Sequence, residues 1–166
     1  MDSFRFLTTD QHFEDLNFHD CHVKSVQEAS NDLIVELEYI YISEKHPLNP
    51  NAAAKSTDPC QLIFKDVSSV KAELYVDITP QNIADHTASE HETKLETKLV
   101  QPEYLNKMEI ETFVLNRIEK ENVFNLQGID WKTHEFCGLI IRSKGFTVEW
   151  NDFLEDAWYV DFEGTE

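Results

Sequence analysis

The chain has 166 residues, 41% of them hydrophobic and eleven of them Phe, which is the length of a single domain (1–166) with enough bulk to bury a core without disulfides or metals. Lys and Arg number 14 against 32 Asp and Glu, a formal net charge of -18. That imbalance speaks against nucleic acid, which is bound through cations that displace phosphate counterions, and against anionic lipid; it favours a basic protein, a polyamine or a divalent cation.

Cys21, Cys60 and Cys137 are odd in number and share no C-x-x-C spacing, so reduced, buried thiols are expected and not a disulfide framework or a thiolate zinc site. The opening MDSFRFLTTDQHFEDL has no basic segment followed by an apolar run, and no stretch approaches the 18 apolar residues of a membrane span. A cytoplasmic protein without membrane contact is the expectation.

In chain order, Asp10–Phe18 reads as a short leading helix or turn that packs Phe13 and Leu16 inward. His19–Glu28 and the run Leu33, Val35, Leu37, Tyr39, Tyr41 then form a β-hairpin about Ser30-Asn31-Asp32. The second strand's other face ends in Ile40 and Ile42, so its far end should lie deeper than its start. Residues 46–59, HPLNPNAAAKSTDP, carry three prolines and read as a long surface insert.

Strands resume at Gln61–Lys65 and at Val70–Ile78, where Val70, Ala72, Leu74, Val76 and Ile78 share one face. Residues 80–104 read as a flexible, partly helical insert ended by Pro102, with ETKL occurring twice between Glu92 and Leu99. That tetrad sets Leu95 and Leu99 together on a helix, and equally sets Thr93, Leu95, Thr97 and Leu99 on one side of a strand. Ile110–Ile118, Val123–Trp131, Glu135–Arg142 and Phe146–Trp150 follow as an antiparallel meander, and Ala157–Phe162 as an edge strand carrying Trp158 and Phe162 towards the core. Short strands, tight turns and no recurring helix predict a mainly β fold, an antiparallel sandwich or open barrel with one or two short helices.

The string His19-Asp20-Cys21-His22 holds metal-ligand types, but on a strand His19 and Cys21 would point away from Asp20 and His22. His19, Asp20 and His22 are therefore metal candidates only if folding brings further carboxylates to them. With four glycines there is no phosphate-cradling loop, there is no G-x-S-x-G elbow, and HTASEH misses zincin spacing, so neither a cofactor nor a catalytic residue is expected. Asp152, Glu155 and Asp156 beside Trp150, Trp158 and Tyr159 form the densest acidic and aromatic cluster, a candidate partner-binding surface.

Residues 1–46 hold ten acids against three bases, and residues 145–166 hold seven acids and no base. If the two ends meet, one face is strongly acidic. The string Phe18-His19-Asp20-Cys21-His22-Val23, followed by Leu33-Ile34-Val35-Glu36-Leu37, resembles the opening hairpin of a family of small bacterial β-rich proteins with an F/L-H-D-x-x-V pattern. Trp150-x-x-Phe153 and Ala157-Trp158-Tyr159 look like the end of the same proteins. Some relatives in that family are immunity proteins of polymorphic toxin systems, so the resemblance implies an immunity-type role. The expectation is a non-catalytic acidic protein that docks a basic protein partner; the rival is a metal-assisted enzyme or small-ligand-binding β protein.

Overall fold

The computed structural model describes residues 3–78, 94–118 and 120–160. They form fourteen short antiparallel strands in three sheets. The strands are β1 (Phe6–Thr9), β2 (Leu16–Asn17), β3 (Val23–Ala29), β4 (Asp32–Leu37), β5 (Tyr41–Ile42), β6 (Lys55–Thr57) and β7 (Cys60–Lys65). After them come β8 (Ser69–Asp77), β9 (Leu95–Val100), β10 (Met108–Arg117), β11 (Asn122–Asp130), β12 (Glu135–Ser143), β13 (Gly145–Trp150) and β14 (Phe153–Asp156). The sheet orders are β1-β13-β7-β4-β3, β10-β11-β12-β8-β9 and β14-β6-β5-β2. The protein is thus mainly β, with the two larger sheets packed as a sandwich. No helix among the described residues is long and apolar enough to cross a membrane.

The core lies between the two five-stranded sheets. Phe64 of β7 meets Phe124 of β11 edge-on, with ring centroids 5.0 Å apart, and Phe146 of β13 reaches Phe113 of β10 at 6.0 Å. Phe64, Phe124, Leu62, Leu126 and Val148 are fully buried. Each such side chain contributes roughly 1.5–3 kcal/mol by leaving water. The hairpin β3–β4 turns at Ser30-Asn31, with Ala29 opposite Asp32 and Ser30 at φ 55°. A two-residue turn of that hand matches the right-handed twist of the strands it joins.

The third sheet continues the first past a bend. β4 runs on into β5, β6 leads into β7, and β13 runs on into β14, so the neighbours keep their order on both sides of the break. Asp58 staples this bend, its Oδ1 accepting the N–H groups of Asn151 and Asp152 at 2.9 Å each. Thr57 adds a second clamp: its Oγ1 accepts from Ile40 N–H at 3.1 Å, and its own N–H donates to the Ile40 carbonyl. The burial of Ile40, Tyr41 and Ile42 at the bend agrees with the expected depth of this strand's end.

The leading segment is a 3-10 turn over Asp10–Asp15, with Leu16 buried and Phe13 packed against the core. Asp10 locks it in place. Its carboxylate accepts from Arg117 Nη1 and from Phe146 N–H, both at 3.0 Å, which ties the segment to both large sheets.

Several expectations change. Residues 46–59 are a partly buried connection: Pro47, Leu48, Pro50, Ala52 and Pro59 are exposed, while His46, Asn49, Ala54 and Thr57 are buried, and the segment carries β6. Asn49 points inward because it caps the local backbone, its Nδ2 donating to the carbonyls of Ile42, Ser43 and Ala53. Of the reading of 80–104 as a partly helical insert, residues 80–93 lie outside the described residues, whereas Leu95–Val100 pair with β8 and Pro102–Leu105 form a 3-10 turn. The meander stops at β12. Ser143-Lys144-Gly145 crosses the sandwich, and β13 pairs with β1 and β7 in the opposite sheet. The last strand comes earlier than expected, at Phe153–Asp156, and it leaves Trp158 about half exposed; Phe162 lies outside the described residues.

Candidate binding clefts and the His19 cluster

The third sheet places Trp158 as a ridge between two open clefts. The first, about 660 Å³, is lined by Glu14, Asp15, Ser43, Glu44, Lys45 and Tyr159 beside the indole. The second, about 780 Å³, is lined on the other side by Glu38, Tyr39, Tyr41, Leu154, Glu155 and Asp156. Both volumes lie within the range of ordinary ligand sites. Beneath the ridge the aromatic rings run in series, Trp158 to Tyr159 at 5.7 Å, Tyr159 to Tyr41 at 5.9 Å and Tyr41 to Tyr39 at 5.5 Å. Burial raises the Tyr39 and Tyr41 phenols above their usual range, so both stay neutral hydrogen-bonding groups at physiological pH.

The acids come from both ends of the chain. Glu14, Asp15, Glu38 and Glu44 belong to the N-terminal part, Glu155 and Asp156 to the C-terminal part, and β14 and β5 bring them together. Among the residues singled out from sequence, Trp150 is fully buried; it stacks on Phe6 at 5.5 Å and is closed to any partner. Asp152 is paired with Arg5 at 3.1 Å and Asp156 with Lys55. Glu155, Trp158 and Tyr159 remain at the clefts. Glu14, Glu38 and Glu155 have no ion-pair partner among the described residues, and Glu14 and Glu38 are far from the C-terminal cluster in sequence. Only the strand order could have revealed them.

His46 anchors the segment that walls both clefts. Its Nδ1 accepts from Leu48 N–H at 3.0 Å, which leaves Nε2 to donate to Thr8 Oγ1 at 2.7 Å, so the buried ring is held neutral. Burial first, and then the His12 ring 4.9 Å away, lower its pKa below the ordinary 6.5, with Asp15 opposing. The unfolded chain takes up this proton more readily than the folded one. The stability due to neutral His46 is therefore complete above pH 6.5 and is lost as pH falls through the lowered folded value. His19 acts in the opposite sense, since its raised pKa gives stability present below 6.5 and lost as pH rises. Thermal melts between pH 7.5 and 5.5 should show a falling midpoint in the native chain and a flat or rising one in His46→Asn; an equal fall in both would contradict the assignment.

The HDCH string does not lie on a strand. Asp20 adopts φ 65°, and its N–H donates to the Ile110 carbonyl at 2.7 Å, docking the turn on β10 where a bulge inserts Glu111. The turn overrides the alternation expected of a strand. His19 Nε2 lies 3.4 Å from Asp20 Oδ1, and its Nδ1 lies 2.8 Å from the Glu111 carbonyl oxygen. That backbone bond, with the charges of Asp20, Glu111 and Glu109, raises the His19 pKa. His19, Asp20 and Glu111 offer ligand atoms within 4.8 Å of one another and could hold a metal ion. His22 is not part of this set; its Nε2 faces Glu109 Oε1 at 3.9 Å.

The three cysteines are free and buried, and burial pushes the Cys60 and Cys137 thiols up to about 12, so they are inert packing groups. Comparison of the chain with protein-family models, with curated proteins and with solved structures returns no match.

Proposed function

We propose that this chain is a non-catalytic acidic binding protein of the immunity type, acting in a bacterial cytoplasm, whose Trp158 clefts dock a basic protein. The observation that carries the reading is the half-exposed Trp158 between one cleft walled by Glu14, Asp15 and Glu44 and another walled by Glu38 and Glu155. An indole amid carboxylates, of which Glu14, Glu38 and Glu155 have no ion-pair partner among the described residues, suits Arg and Lys side chains: the ring faces attract the cation and the carboxylates accept its N–H groups. The summed field of the excess acids speeds encounter, and the aromatic anchor supplies affinity. The resemblance of the opening hairpin to small bacterial β proteins supports the immunity-type reading.

Any strongly acidic protein attracts polycations, so the test must be local. An Arg- and Lys-rich peptide titrated calorimetrically should bind with an affinity that falls as salt rises. The double variant E38Q/E155Q should weaken binding by about tenfold, while E28Q/E103Q, with the same change in net charge, should leave it nearly unchanged. Equal losses in the two variants would reduce the acidity to a solubility device.

A second reading, a metal-assisted or small-ligand protein, is favoured by the geometry of His19, Asp20 and Glu111. The Nδ1 bond to the Glu111 carbonyl leaves Nε2 as the ligand atom, an orienting contact common at zinc sites. Stoichiometric zinc binding in calorimetry, abolished by His19→Ala, would favour it; heats no larger than those of the variant would remove it.

A further inference from the structure

β9 is the outermost strand of the sheet β10-β11-β12-β8-β9, and every residue from Leu95 to Leu99 is exposed. Its hydrogen-bonding phase is fixed by the bond from Ile78 N–H to the Lys94 carbonyl at 2.8 Å, in register with the β8–β9 ladder. Bonded and non-bonded pairs alternate along an antiparallel ladder. Glu96, Lys98 and Val100 therefore aim their N–H and C=O groups at β8, whereas Leu95, Thr97 and Leu99 aim theirs at the outer edge, which pairs with no other strand among the described residues. Side chains alternate as well. Leu95, Thr97 and Leu99 share the outer face with Tyr75 and Phe136, and Glu96 and Lys98 lie on the other.

Edges of this kind are normally blunted by proline, a bulge or charges that point inward. Here the charges do not block every partner, because the strand is its own complement about Thr97. In an antiparallel second copy, Glu96 faces Lys98, Lys98 faces Glu96, Leu95 faces Leu99, and Thr97 faces Thr97. The outward-facing residues fall in the bonded pairs and the opposite charges in the non-bonded pairs, where side chains approach most closely. A slip to the next compatible register sets Lys98 against Lys98 or Glu96 against Glu96. We propose that two copies of this chain pair antiparallel through β9 across a two-fold axis at Thr97, joining their sheets into one. This interface is separate from the acidic clefts and stands whether or not they bind a basic partner.

Sedimentation over a concentration series tests it, at physiological ionic strength so that a Debye length of about 8 Å screens the net charge. The native chain should pass from monomer to dimer as its concentration rises. E96K and K98E change net charge in opposite directions, yet each should weaken the dimer about tenfold by facing like charges, and E96K/K98E should restore it. Thr97→Pro removes an N–H that β8 does not use and should abolish the dimer with the melting temperature retained. A native chain that stays monomeric throughout, single swaps without effect, or a double swap that remains dissociated would each overturn the proposal.

Discussion

Gly128→Ala should cost more than about 3 kcal/mol of stability, at the severe end of overpacking, and lower the melting midpoint by on the order of 10 °C for a chain of this size. A Cβ at this position would collide with the Glu109 carbonyl oxygen and lie 3.2 Å from Ile110 Cα, both of them main chain on the neighbouring β10. β10 is an outer strand of its sheet, but at this point its far side is held by the Asp20–Cys21 turn. Gly128 faces Ile110 at the register shift that inserts Glu111, and on its other side it faces Cys137. Moving β10 away would also disturb the two bonds that Ile110 makes with the Asp20–Cys21 turn. Gly138→Ala is the control: its Cβ would meet the Tyr75 phenol oxygen at 3.0 Å, the far end of a side chain that can swing, and should cost less than about 1 kcal/mol. Urea unfolding of both variants measures the difference, and a Gly128→Ala chain as stable as Gly138→Ala would mean that β10 and β11 do not approach this closely.

Trp158→Ala should weaken binding of the basic peptide by about 2 kcal/mol or more, roughly thirtyfold, as expected of an anchor at the centre of an interface. Trp158 lines both clefts and is 49% exposed, and it packs on Tyr159, which in turn meets Tyr41. Stability should change far less than in Trp150→Ala, which opens a cavity beside Phe6 and Phe153 and should cost about 3–5 kcal/mol. Titration calorimetry and thermal melts on the two variants separate the roles. Loss of binding in neither variant would remove Trp158 from the interface.

The contrast between these tryptophans shows where sequence reading reaches its limit. Period-two alternation in the sequence identified β4, β7, β8 and β10 to β12; in β4, β7 and β11 one face is buried and the other wetter, whereas β8 and β12 are buried on both faces at their centres. The mainly β, antiparallel architecture was legible for that reason. It did not reveal that β13 leaves its hairpin neighbour for the opposite sheet, since alternation reads the same in either sheet. Residues 46–59 were legible in part: Pro47, Pro50 and Pro59 mark irregular backbone and are exposed, but irregular backbone can be buried between them where side chains such as Asn49 satisfy its carbonyls.

The candidate site was half legible. Glu155, Trp158 and Tyr159 stood out as a local cluster, whereas Glu14, Glu38 and Glu44 join them only because β4 and β13, with β7 between them, cross one bend and continue as β5 and β14 on either side of β6. Arg5 and Lys55 cancel Asp152 and Asp156, pairings too distant in sequence to foresee. Similarly, Asp20 in a left-handed turn sets His19 beside Glu111, far along the chain, and not beside His22.

Hydrogen exchange of the intact chain, free and saturated with the Arg- and Lys-rich peptide, tests the docking surface most directly. Slowing confined to residues 38–45, 55–57 and 153–159, and reversed by high salt, is the expected result. Slowing spread evenly over the acidic surface, or centred on the outer face of the β10-β11-β12-β8-β9 sheet, would contradict it.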